Sequence, residues 1–193
     1  MRDRNVFGAL ALLVADDIVQ SANAQAPEGG PASSALALLH HEPGLSIGKL
    51  AAGVALSYAG AVRLVDRLVA EGLVERRGHE SDGRARLLHL TAAGETAGAA
   101  VLQARDAALA RALDVLNDDE VAMLGSLSER MLRAHLGNEG HAYRVCRLCD
   151  HSSCRNCPVD DELRCREDAR ARDWPAECQG DPDRWPKRDL SLK

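Results

Sequence analysis

Residues 46–94 of the 193-residue chain read SIGKLAAGVALSYAGAVRLVDRLVAEGLVERRGHESDGRARLLHLTAAG. Ser46 is suited to cap a short helix, SIGKLAAG, which Gly53 interrupts; Val54-Ala55-Leu56 then carries the chain to Ser57. Ser57 can cap a second helix, because its hydroxyl can accept from an unpaired N–H of the first turn. Gly72 follows the last periodic residue, where glycine takes a left-handed conformation at little cost. Between them Ala61, Leu64, Val65, Leu68 and Val69 recur at i, i+3, i+4, i+7 and i+8, forming one apolar stripe. Ala59, Arg63, Asp66, Arg67 and Ala70 lie on the other face.

After Gly72 the run Leu73 to Arg77 reads as a strand and Arg84 to Leu90 as its partner, with Gly78 and Asp82-Gly83 supplying turn chemistry. A short helix, a brief turn, an amphipathic helix and a hairpin make a winged helix-turn-helix. The fold expected is mainly α with a small β-hairpin wing, its core flanked by dimerisation helices. Small residues near the start of the second helix, with arginines one turn apart, suit close approach to a DNA major groove. Arg84 and Arg86 lie just past the hairpin tip, placed for a minor groove or for phosphates, and Asp82 can orient Arg84 through a bidentate pair. An ordinary solvated helix face and a plain surface hairpin are the competing readings, and the order of the parts decides against them.

The residues LSYAGAVRLVDRLVAEGLVERR, then Asp82-x-Arg84, then LHLTAAG ending at Gly94, resemble the multiple antibiotic resistance regulator (MarR) family of dimeric bacterial transcription factors. The resemblance is clearest from Ala35 to Gly94 and extends from the N-terminus to about Gly137. It implies repression or activation through a near-palindromic operator. It also implies recognition-helix roles for Ser57, Tyr58, Ala59, Gly60, Arg63 and Arg67, with Arg84 as the wing residue and Asp82 its partner.

Charge and composition set limits. The formal net charge of −5 opposes indiscriminate nucleic-acid binding, yet residues 57–86 hold six arginines against five acids. Binding is therefore expected to be selective and steeply salt-dependent. The first 26 residues, MRDRNVFGALALLVADDIVQSANAQA, share features with a secretory signal peptide, but Asp3 and Asp16-Asp17 are misplaced for one. Val6, Leu10, Leu13, Asp17 and Ile18 fall at helical intervals, so an amphipathic dimer helix in a cytoplasmic protein is expected, with no run long enough to cross a membrane. PEGGP at 27–31 reads as a linker, followed by a helix from Ser33 to His41. Thr91 can cap a long helix to about Leu116, and Asn117 to Glu120 has capping-box spacing for another, with Val121, Leu124, Leu127 and Met131 on one face. Helices from both chain ends would pair two copies, setting two recognition helices ~34 Å apart. A small-molecule effector is compatible with such a dimer, acting by changing that separation.

Residues 1–137 form the expected DNA-binding and dimerisation domain, and 138–193 a tail of different composition. That tail holds all six cysteines, both tryptophans and four of seven prolines. It lacks the aliphatic content for an ordinary core. Cys146, Cys149, Cys154 and Cys157 follow C-x2-C-x4-C-x2-C, a spacing by which four thiolates can converge on one ion. Zinc is the first reading, since metal binding would supply the folding free energy the tail lacks. An iron–sulfur cluster and a thiol–disulfide switch poised by Arg147 and Arg155 are the alternatives. His141, His151, Cys165 and Cys178 are reserve ligands. No catalytic constellation can be assembled, and His40 and His41 read as surface or capping groups, so no enzyme is expected. The competing function is a redox protein that uses the C-x2-C pairs on a helical scaffold, without the βαβ context such chemistry favours.

Overall fold

The computed structural model describes residues 1–27, 29–78, 86–154 and 156–170. In chain order it runs α1 (Arg2–Asn23), α2 (Pro31–His41), β1 (Leu45–Ser46), α3 (Ile47–Gly53), α4 (Tyr58–Ala70), β2 (Val74–Gly78), β3 (Arg86–Leu90), α5 (Ala92–Leu113), α6 (Asp118–His135), α7 (Glu139–Val145) and α8 (Pro158–Arg170). The fold is mainly helical with one small antiparallel sheet, ordered β1-β3-β2.

The local signals act where the chain places them. The Ser46 hydroxyl accepts from the Lys49 amide, Ser57 from Gly60, and Thr91 from Gly94. Asn117 and Glu120 complete a reciprocal capping box at the start of α6. Gly72 ends α4 at φ +70, and the Leu73 amide returns to the Leu68 carbonyl at 2.9 Å. The core is continuous from α2 through α3 and α4 to the sheet: Leu36, Leu39, Leu45, Leu50, Leu64, Val65, Leu68, Val74 and Leu88 are all buried.

Several boundaries differ from the sequence reading. Val69 is exposed, so the buried stripe of α4 is Ala61, Leu64, Val65 and Leu68. The turn before α4 takes its left-handed residue at Ala55, φ +55, rather than at Gly53. Gly53 is needed for close approach instead: a Cβ there would meet Leu38 Cδ1 at 2.5 Å. The strand β1 has no periodic signal of its own; two residues pair with β3 through Leu45↔Leu88 and Ser46↔Leu87. Strand β2 begins one residue later than expected and α5 ends at Leu113, while the expected start of the partner strand at Arg84 lies outside the described residues. Helix α1 spans 22 residues with a mean hydropathy of 1.3 in its most apolar window, enough in length and composition to cross a membrane. That corrects the expectation that no such run exists; interspersed acids and small residues hide the run from inspection. The helix packs along α5, where Arg111 donates to Asp17 at 2.8 Å.

Candidate nucleic-acid interface and cysteine cluster

The α3 and α4 axes turn by 102° across the break between them, within the range of a helix-turn-helix. Burial of Ala61, Leu64, Val65 and Leu68 fixes which face α4 presents outward. Ser57, Tyr58, Ala59, Arg63 and Arg67 are exposed on it, Gly60 is half-buried, and the Tyr58 ring is 63% exposed. Asp66, also exposed, accepts from Arg76 of β2 at 2.7 Å and so ties the helix to the hairpin. Arg77 is engaged with its neighbour Glu75 at 3.0 Å. The hairpin pairs in register from Val74↔Leu90 to Gly78↔Arg86, and Arg86 stands exposed at the last described pair on the tip side. Asp82 and Arg84 lie outside the described residues.

The exposed helix, the right-angle turn behind it and the hairpin beside it define a winged helix-turn-helix, a DNA-reading class of domain. The model of the MarR family matches residues 29–85, under a third of the chain. Over 54 residues the chain is 44% identical to the HTH-type transcriptional regulator BilQ of Clostridium symbiosum, covering 28% of this chain and 38% of that one. It thus spans well under half the length of that curated relative. Among solved structures, apo MarR from E. coli aligns with 25% identity and a TM-score of 0.51, over 65% of this chain and 95% of its own. The repressor CouR, solved on a 23-mer DNA duplex, aligns with 24% identity and a TM-score of 0.50, over 64% of this chain and 87% of its own.

The tail folds back on this domain. Asn138 caps α7, accepting from the His141 amide, and Pro158 with Asp160 and Asp161 opens α8. Both starts were legible in those residues, though the sequence reading passed over them. His141, a reserve ligand, is taken up by the Gly137 amide, which donates to its Nδ1 at 2.9 Å.

Helix α7 lies against α3 and carries a polar network that the sequence did not reveal, because its members are far apart in the chain. The Tyr143 hydroxyl donates to Glu42 Oε1 at 2.9 Å, and Lys49 Nζ stands 3.1 Å from Glu139 Oε1 and 5.4 Å above the Tyr143 ring. Tyr143 and Glu139 hold the Lys49 ammonium above its usual range. Burial, with Glu42 beside it, raises the Tyr143 phenol against the opposing pull of Lys49.

Of the four spaced cysteines, all free thiols, Cys146, Cys149 and Cys157 are partly buried and Cys154 is exposed. Within the first pair, the Cys149 amide donates to the Cys146 carbonyl at 2.9 Å, closing the C-x2-C turn. Interaction with Cys146, aided by Arg105 and Arg147, lowers the Cys149 thiol to about 7, and Cys149 with burial raises Cys146. In the second C-x2-C turn Cys154 is raised to about 11, by burial first and then by Cys157. Each pair also feels the other, Cys146 the charge of Cys157 and Cys154 that of Cys149. Among the described residues, no three His, Cys, Asp or Glu side chains are placed to hold a metal ion, so the expected convergence of Cys146, Cys149, Cys154 and Cys157 on one ion is not formed here. Arg155 and Cys178 lie outside the described residues.

His41 departs from the surface role expected of it. Its ring stacks on His151 with centroids 4.6 Å apart, faces the Cys149 carbonyl, and keeps a buried Nε2 without a hydrogen-bond partner. Desolvation, with His151 and His40 nearby, lowers its pKa. His40 instead reaches Glu95 of α5 at 2.6 Å. A cavity of about 280 Å³ opens between α1, α2, the turn before α4 and the tail, with Asn23, Ser33, Arg144 and Arg147 among its polar lining.

Proposed function

We propose that the protein is a sequence-specific transcription regulator that binds double-stranded DNA as a homodimer on a near-palindromic operator. The carrying observation is the outward face of α4, where Tyr58, Ala59 and Arg63 are exposed. In this reading the first turn of α4, from Ser57 to Gly60, lies against base edges. Arg63 and Arg67 hold phosphates, and Arg84, Asp82 and Arg86 serve the adjacent minor groove.

Dimerisation is supported by apolar side chains that one chain leaves uncovered. Val6, Phe7, Leu10, Leu12 and Leu13 of α1, with Met123, Leu127 and Met131 of α6, are all exposed. A second copy covering these faces accounts for the apolar length of α1 without a membrane. The cavity beside the turn offers room for a small-molecule effector that shifts the helix separation.

The test is a mobility shift with duplexes selected from a random pool by the purified full chain. Arg63→Ala and Arg84→Ala are each expected to weaken specific binding by ~1–3 kcal/mol. Affinity that is indifferent to both substitutions and to salt would overturn the reading.

A further inference from the structure

Helix α3 is seven residues long, too short to hold its shape unaided. Leu50 anchors it in the core shared with α2 and α4. The turn that follows is closed by the Leu56 amide on the Ala51 carbonyl at 3.0 Å, so α4 keeps a fixed relation to α3. Yet α3 meets α7 more extensively than any other element. Each of the two helices has a glycine where the other comes closest. A Cβ on Gly53 would stand 3.4 Å from Tyr143 Cβ and 3.5 Å from the Tyr143 carbonyl oxygen, and a Cβ on Gly140 would stand 3.6 Å from Ala52 Cβ. Polar bonds reinforce the seam: the Tyr143 hydroxyl donates to Glu42 at 2.9 Å, and Lys49 pairs with Glu139 at 3.1 Å.

Helix α7 is in turn tied to the long helices at both ends. Between α6 and α7 lie only Leu136, Gly137 and Asn138. Leu136 is buried with Ala142 of α7, the Gly137 amide donates to His141 Nδ1 at 2.9 Å, and Asn138 Oδ1 accepts from the His141 amide at 2.9 Å. That corner is therefore stiff. Just past the other end, Leu148 is buried with Ala22 of α1, Ala37 of α2, and Val101 and Leu102 of α5.

We infer that α7 is a brace for the DNA-reading helix pair: Gly140 and Tyr143 hold α3, and with it α4, in one position against α1, α5 and α6. They are positioning residues, acting through α3 rather than by touching the duplex. The brace itself follows from the packing of α3 on α7; only its effect at an operator rests on the proposed DNA-binding function. Two recognition helices must meet their half-sites at a set separation. A helix pair free to rock against the long helices would have to be ordered at the moment of binding, and that cost falls on specific affinity. Contacts to phosphates alone, which need no such register, are spared.

The experiment compares the full chain with three variants. Gly140→Ala sets a Cβ at ordinary contact distance from Ala52 and favours the helix, so it should match the wild type. Gly140→Leu sends further atoms toward the place Ala52 occupies and pries the seam open. Tyr143→Phe keeps the ring beside Lys49 and removes only the bond to Glu42. Amide exchange in α3 should accelerate ~10-fold in Gly140→Leu and ~3-fold in Tyr143→Phe, with α5 unchanged. Affinity for the duplex selected by the wild type should fall by similar factors, while binding to a random duplex at low salt stays the same. Exchange in α3 as slow in Gly140→Leu as in Gly140→Ala would overturn the brace. Faster α3 exchange with undiminished affinity for the selected duplex would overturn the positioning role. Should Gly140→Leu loosen α5 as well, Tyr143→Phe decides, and equal acceleration of α3 and α5 there would overturn the brace. A wild type that selects no duplex defeats the DNA-binding reading instead, and faster α3 exchange in the variants still upholds the brace.

Discussion

Gly94 shows how much one position can decide. In the first turn of α5, alanine is ordinarily the better helix former by ~1 kcal/mol. Here a Cβ would stand 2.0 Å from the Leu73 carbonyl oxygen and 3.2 Å from Leu90 Cβ, in the seam where α5 crosses the start of the hairpin. Neither neighbour can yield, since Leu73 O accepts from the Thr91 amide at 3.0 Å and Leu90 is paired with Val74. Steric exclusion outweighs propensity, and Gly94→Ala should destabilise the domain by ~3 kcal/mol or more, read as a lower urea midpoint at unchanged slope. Thr91 serves the same seam twice, donating to the Gly72 carbonyl at 2.6 Å and capping α5 through Gly94. Thr91→Ala should therefore cost ~1–2 kcal/mol in the same assay, at the upper end for a lost cap. Equality with wild type in that assay would remove the double role.

At the level of elements, what could be read in advance follows from how local the cause is. The caps at Ser46, Ser57, Thr91 and Asn117 act within three residues, and each forms the bond its spacing foretold. The stripe on α4 was legible for the same reason, except at Val69, where periodicity alone cannot tell the edge of a buried face from its middle. Strand β1 could not be anticipated, because its two residues are extended by pairing with β3, some forty positions away. The same holds for Tyr143, Glu42 and Lys49, which are ordinary surface residues until α7 folds back onto α3. The exposure of Arg63 and Asp66 follows from the apolar stripe that α4 buries, whereas only the structure shows Asp66 bonded to Arg76.

For the molecule as a whole, the exposed apolar faces of α1 and α6 weigh more than any single contact. Fully burying one such side chain contributes ~1.5–3 kcal/mol, so five on α1 far exceed the worth of the exposed Arg111–Asp17 pair. Leu13→Lys is expected to shift the protein to monomer in analytical ultracentrifugation and to weaken operator binding while leaving the winged domain folded. A dimer that persists unchanged would move the interface elsewhere. The sheet has a consequence of another kind. Because β1 binds β3, β3 binds β2, and Arg76 bonds β2 to Asp66 of α4, helix and hairpin form one stiff bracket. In the proposed dimer each bracket grips or releases a half-site as a unit. Adding a base pair between half-sites should then cost a whole grip at once, an all-or-nothing tolerance to operator phase in place of a graded one.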